Sequence, residues 1–352
     1  MGIKSLYQKN KKPFYCTLVL IFLLVFYLYL TLVLKLEIKR GGVYPNGIYI
    51  STSKTTKRAL TNEELRVYTR SLHEQIEKGD KKALSDLTQM AENGIAPAQT
   101  ALAMVYYNDK GVKKDLAKAA SLYAAAAEKG DPDAQLNLGF FYENGIQLKQ
   151  DFHKAAKFYK LALENKDSSV KGQGIAEFNL ASLYRQGLGV EKDIDKSMTL
   201  YKSVVTKIDK TAAFNSIEGQ ARTDALAALG HMHRDQNRFD IAKEYYVEAA
   251  ERGSATASAN LGHAYFLGKG VEKNVKKAVE FTKFAAEHED PAGQYNLAIC
   301  YFEGIVVKKD IPKAIQLLEA SAKQDFELAK NMLGELKKPK PKPKPKTKAK
   351  SK

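Results

Sequence analysis

From Ala96 to Phe326 the chain repeats itself with a period that is mostly 36 residues, and this constrains its fold more than any other feature. Ala98, Ala103, Tyr106, Asp115, Ala119 and Tyr123 return as Ala134, Gly139, Tyr142, Asp151, Ala155 and Tyr159. Further on, Ala257, Gly262, Tyr265, Gly268 and Ala278 return as Gly293, Ala298, Tyr301, Gly304 and Ala314. A period of this size marks a supersecondary unit too small to bury its own apolar face, so successive units must stack. A chain of 352 residues would hold two or three ordinary domains, but a stack grows by adding units and not by adding cores.

Each unit reads as two helices. In Ala134–Tyr142 a small residue at Gly139 admits a neighbouring helix, and Leu138 and Tyr142 lie one turn apart as a packing stripe. A loop such as 186–193 follows, where Gly187 suits the left-handed end of the first helix and Asp193 suits the cap of the second. The second helix carries Lys-Ala and then Tyr, as in Lys154, Ala155 and Tyr159. These residues resemble the Sel-like repeat (SLR) family, relatives of the tetratricopeptide repeats. The match is close in Leu138–Tyr142, in Gly187, Gly189, Val190 and Asp193, and in Gly268, Gly270 and Val271. The resemblance covers about two thirds of the chain. It implies an all-α, right-handed α/α superhelical solenoid that binds protein or peptide ligands, usually as an adaptor.

Six units start near Ala96, Pro132, Ile175, Asp224, Thr256 and Ala292. Six extra residues precede the third, within 166–172. The fourth has a loop shorter by four, is of tetratricopeptide type, and follows a link over 208–222 that marks a candidate bend. A helix pair over 65–94 and a half-unit over 328–337 cap the array, making a solenoid of residues 62–336.

The ends differ from this body. Phe14–Leu34 holds 21 residues without a charge, enough as a helix to span roughly 30 Å of hydrocarbon. It is longer than a signal-peptide core and ends in Lys35 through Arg40 with no small-residue cleavage site. The expectation is one uncleaved transmembrane helix after a short basic terminus of residues 1–13, followed by a flexible connector over 35–61. The basic residues on the two flanks are nearly balanced, and the short basic terminus tips the orientation. It favours a bacterial inner-membrane protein with its solenoid on the periplasmic side. Residues 337–352 alternate lysine with proline and then with Thr347, Ala349 and Ser351, a composition that forms no core. The two ends supply all but one of the sixteen excess positive charges, so residues 41–336 are nearly neutral. Lys338, Lys340, Lys342, Lys344 and Lys346 in the tail suit anionic headgroups, envelope polymers or, from the cytoplasmic side, nucleic acid. The alternative is accordingly a cytoplasm-facing adaptor whose tail binds anionic lipid or nucleic acid.

By resemblance to tetratricopeptide domains, the first helices line a concave groove. Asn137, Asn179, Asn260 and Asn296 share one register there, and an amide offers a peptide backbone both a donor and an acceptor. Phe140, His231 and His263 lie three residues further along the register. The two histidines occupy equivalent positions in consecutive units. No third ligand recurs at the spacing zinc needs, so they read as groove residues and not as a metal site. The sequence has no zinc-protease, nucleophile-elbow, P-loop or dinucleotide motif. The expected partner is therefore a protein or peptide, with no cofactor, no small-molecule substrate and no catalysis. Two cysteines, Cys16 and Cys300, provide no disulfide framework.

Overall fold

A computed structural model describes residues 43–44, 47–51, 57–109 and 111–337. Fifteen helices make up the body among the described residues. They are α1 (Asn62–Glu77), α2 (Lys81–Glu92), α3 (Ala96–Asn108), α4 (Leu116–Glu128), α5 (Pro132–Asn144), α6 (Phe152–Glu164), α7 (Val170–Gln186) and α8 (Ile194–Lys207), continuing with α9 (Ile217–Asp235), α10 (Phe239–Glu251), α11 (Ala255–Leu267), α12 (Val275–Glu287), α13 (Pro291–Glu303), α14 (Ile311–Lys323) and α15 (Glu327–Lys337). The solenoid body is all-α, as its period requires. The expected transmembrane run 14–34 and Lys338 through Lys352 lie outside the described residues. No helix among the described residues is long and apolar enough to cross a membrane.

The connector is not featureless. Three strands, β1 (Val43–Tyr44), β2 (Gly47–Ser51) and β3 (Lys57–Ala59), form an antiparallel sheet in chain order, with Tyr44 opposite Gly47 and Tyr49 opposite Ala59. The expected connector thus carries short strands, for which Val43, Tyr44, Ile48, Tyr49 and Ile50 have the propensity. Two element starts also move. α7 begins at Val170, so most of the six extra residues lengthen a helix, and α9 begins at Ile217, which shortens the expected link to 208–216. Ser169 and Ser216 fix those starts by capping the backbone N–H of Gly172 and Gly219.

The repeated motif acts as a staple that closes each pair. In the first pair the Asp115 N–H donates to the Tyr106 carbonyl, and the Asp115 carboxylate accepts from the Lys118 N–H. The Lys118 ammonium then lies 5.1 Å from the Tyr106 ring centre. The same arrangement recurs in Tyr142–Asp151–Lys154, Tyr184–Asp193–Lys196, Tyr265–Asn274–Lys277 and Tyr301–Asp310–Lys313. Each staple joins an N-cap, worth about 1 kcal/mol, to a cation–π contact worth about 0.5–1 kcal/mol when exposed. The unit made of α9 and α10 lacks it. His233 stands at the tyrosine position and stacks on Tyr245, Ile241 stands at the lysine position, and Arg238 gives no side-chain cap.

Small residues of the first helices serve the second. A Cβ at Gly139 would lie 2.6 Å from the Tyr159 ring, and one at Gly230 would lie 2.5 Å from the Tyr246 ring. These positions let large side chains on the second helices fill the centre of each pair, where Tyr123, Tyr159 and Tyr201 are fully buried. The second loop glycine has a different task. At Gly189, with φ +65°, an added Cβ would collide with the backbone of Phe152 in the preceding pair.

The chain divides into two compact units at Ser197/Met198, inside α8 and ahead of the expected bend. In the first unit, a core of Val67, Leu72, Ile76, Leu87, Met90 and Leu102 joins the leading pair to α3. In the second, Leu226, Tyr246 and Leu261 form one core, and Leu318 and Leu333 contribute to another around α14 and α15. Within each unit, non-consecutive helices meet most extensively first helix to first helix: α1 with α3 and α5 with α7 in one, α9 with α11 and α11 with α13 in the other. The first helices therefore line the inner side of each stack.

Candidate partner-binding site

In the first unit, Asn137 on α5 and Asn179 on α7 are half-buried, and Phe140 is exposed. The Asn137 amide donates to the Asp133 carbonyl of its own helix at 2.7 Å. Asn179 reaches the Tyr159 hydroxyl of the preceding pair. That hydroxyl donates to Glu143. Burial, followed by the Glu143 carboxylate, holds the Tyr159 hydroxyl far above its ordinary ionisation range.

The edge of this face is charged. Arg66 on α1 sits 3.6 Å from Asp131 and 3.8 Å from Asp167, and donates to the Asp167 carbonyl. Asp131 is buried, caps α5 and accepts from Thr100. Burial, then Asp131, raises the neighbouring Asp133 carboxyl above its ordinary value, while Arg66 and Arg70 oppose the shift. None of these groups stood out in the sequence, because Arg66 lies in the leading helix, outside the repeat register of Asp131 and Asp167.

In the second unit, α9, α10 and α11 enclose a cleft of about 290 Å³. Asn260 and His263 line it, with Arg234, Tyr246, Lys243 and Lys269. The Asn260 amide nitrogen donates to the Thr256 carbonyl at 2.8 Å and contacts His231 Nε2 at 3.0 Å. Its oxygen accepts from Arg234 Nη1 at 2.7 Å, which fixes the amide orientation. An amide nitrogen only donates, so His231 Nε2 is the acceptor and the ring proton sits on Nδ1. Asn260 has thus committed both of its donors. Burial, then Lys269 and Arg234, lowers the pKa of His263 below its ordinary 6.5. His231 packs edge-on against Tyr246, whereas His233, two residues on, points to the opposite side and stacks on Tyr245.

Asn296 on α13 is half-buried at the same register. The structure thus places all four asparagines at half-buried positions on first helices, two in each unit. It also shows what sequence register missed. Arg234 lies four residues after Gly230, where Glu143 lies four after Gly139. That charge reversal is visible once the two glycines are aligned on their tyrosines. Among the described residues no group of three or more His, Cys, Asp or Glu side chains is placed to hold a metal. Cys300 is a buried free thiol whose pKa burial pushes up to about 11.

The Sel1 repeat model matches residues 96–131, 132–167, 174–203, 223–254, 255–290 and 291–326, more than half of the chain. The six expected units are these six. Solved structures similar to the chain include c5321, a protective antigen present in uropathogenic Escherichia coli strains displaying an SLR fold, which is 30% identical with a TM-score of 0.56. That match covers 72% of this chain and 51% of the other, so the chain corresponds to about half the length of c5321. A Sel1 repeat protein from Oxalobacter formigenes is 23% identical, with a TM-score of 0.59, over 73% of this chain and 96% of that one. No curated protein matches the chain.

Proposed function

The chain belongs to the Sel1 repeat family, whose members are generally protein-interaction modules and typically not enzymes, and from that premise we propose that it is a membrane-anchored scaffold holding a protein or peptide partner along the inner side of its first helices. The observation that carries this reading is the inner side itself. Within each unit first helices lie against one another, and four of them carry a half-buried asparagine at one register: Asn137 and Asn179 in the first unit, and Asn296 with Asn260, the latter bonded to His231 and Arg234, in the second. Phe140, His231 and His263 add apolar and aromatic contacts three residues on. Residues 14–34 tether this body to a bilayer as a single pass with the solenoid on the periplasmic side, in an envelope-associated assembly. Lys338, Lys340, Lys342, Lys344 and Lys346 give a second contact, to anionic headgroups or polymers.

The test places photo-cross-linking residues in the full-length chain at Asn137, Phe140 and Asn296. Exposed Lys157 and Lys283 on second helices serve as controls. Protein adducts from the inner positions and none from the controls are expected. Adducts from the controls alone, or undiminished partner recovery after changing all four asparagines to alanine, reject the groove. Release of the chain from membranes by alkaline carbonate rejects the anchor. A reporter at the carboxy terminus reads the orientation and separates the periplasmic arrangement from a cytoplasm-facing adaptor.

A further inference from the structure

The cleft between α9, α10 and α11 contains a hydroxyl that lacks what its counterpart has. Tyr159 and Tyr246 occupy equivalent places, each filling the space left by a first-helix glycine, Gly139 or Gly230. The Tyr159 hydroxyl donates to Glu143. At the register of Glu143 the second unit carries Arg234, a side chain with five donors and no acceptor. Tyr246 is 3% exposed, and its hydroxyl is buried without a partner among the described residues. Buried polar groups are nearly always satisfied, so this O–H is a donor open to an acceptor brought into the cleft.

The surroundings specify that occupant. Arg234, Lys243 and Lys269 line the cleft against a single carboxylate, Asp235. Asp235 accepts from Arg234 Nε at 3.1 Å and Nη2 at 2.9 Å through one oxygen, with 66% of the acidic side chain open to solvent. Exposed pairs of this kind contribute little and exchange readily. An entering carboxylate would offer one oxygen to the Tyr246 O–H and the other to the Arg234 guanidinium, which carboxylates suit by shape. Pockets for drug-sized ligands run from about 300 to 1,000 Å³, so a cleft of about 290 Å³ fits one side chain or chain end.

We propose that this cleft is a carboxylate-binding subsite in which Tyr246 and Arg234 take an acidic group of the bound peptide, on a side chain or at a chain end. The assignment rests on the groove reading above and names the chemistry of one position within it. It also gives a role to Arg234, which stands where Glu143 supplies the acceptor for Tyr159.

Three fluorescent hexapeptides test it by anisotropy against the full-length chain: hexaglutamate amide, hexaglutamine amide and hexaglutamine with a free carboxylate. The carboxylate probes should bind on the order of tenfold more tightly than hexaglutamine amide, as expected for one charge-assisted hydrogen-bond pair. Tyr246→Phe should remove most of that preference, and Tyr159→Phe should leave it intact. Preference for hexaglutamate alone assigns the source to an acidic side chain, and equal preference for the free-acid hexaglutamine extends it to a chain end. Equal binding of all three probes overturns the proposal. So does a preference that survives Tyr246→Phe, since it would then reside on other cations such as the tail lysines. Cross-linking at Asn137 and Phe140, in the other unit, reports on the groove independently of this result.

Discussion

The contrast between Tyr159 and Tyr246 predicts that one substitution has opposite effects at two equivalent sites. Tyr159→Phe removes a hydroxyl that donates to the half-buried Glu143 carboxylate. Hydrogen bonds to charged groups contribute about 1.5–3 kcal/mol, and burial already raises the Glu143 pKa while the Tyr159 bond lowers it. The expected loss is about 2 kcal/mol. Tyr246→Phe removes a hydroxyl that is buried with no partner among the described residues. Leaving such a group unpaired costs about 1–3 kcal/mol, so the ligand-free chain should gain about 1 kcal/mol. For units of this size one kcal/mol moves the melting midpoint by about 2–4 °C. Because repeats open locally, hydrogen exchange is the sharper assay. Amides of α5 and α6 should exchange faster in Tyr159→Phe, and those of α9 and α10 more slowly in Tyr246→Phe. Faster exchange at α9 and α10 in Tyr246→Phe would show that the hydroxyl is already satisfied, and the reasoning about the cleft would fail with it.

Arg238→Asp supplies the N-cap that α10 lacks and should stabilise the second unit by about 1 kcal/mol, read as a later unfolding midpoint in urea. Val306 holds φ +60° at the register of Gly189 and Gly270, with its side chain 55% exposed. Left-handed backbone at a β-branched residue costs about 1–2 kcal/mol, so Val306→Gly should raise the melting midpoint by a few degrees. His233 is 4% exposed, and burial, then Lys202 and Arg238, lowers its pKa below 6.5. The unfolded chain then binds the proton more readily, so its contribution to stability is complete above about pH 6.5 and falls as pH drops through the lowered value. Replacing it in His233→Phe should flatten that acid-side decline in a pH series of melts.

The helix pairs were legible because their signals are local and repeated. Asp115, Lys118 and Tyr106 lie within thirteen residues of one another, and each recurrence confirms the same cap and the same cation–π contact. The strands of the connector were missed because Pro45, Asn46 and Gly47 read as punctuation. The apolar runs on either side, Val43-Tyr44 and Ile48-Tyr49-Ile50, are too short to show an alternating pattern. The asparagine register was legible, but the bonds of Asn260 to His231 and Arg234 were not. They cross from one helix pair to the next, and the period gives positions without giving the partners that face them.

The fourth repeat shows how such a stack acquires a site without losing its fold. Packing fixes Gly230, Tyr246 and the apolar positions of α9 and α10, because Tyr246 fills the space that the missing Cβ leaves. Residues that only fasten one helix to the next are less constrained, and these are the ones that differ. His233, Ile241 and Arg238 replace the Tyr–Lys–Asp staple, and Arg234 stands where Glu143 accepts from Tyr159 in the second repeat. Each staple contributes on the order of 1–2 kcal/mol, a loss the neighbouring interfaces of a nearest-neighbour stack can absorb. What the exchange leaves is a cationic cleft with an unsatisfied donor at its base, on the side of the helices where a partner would lie. On this view, restoring the staple by Arg238→Asp with Ile241→Lys and His233→Tyr should stabilise α10 and leave carboxylate binding unchanged. Arg234→Glu should give Tyr246 an internal acceptor and abolish that binding. If the triple restoration abolished binding instead, the fastening residues and the site would be one system, and the separation drawn here between packing and function would be wrong.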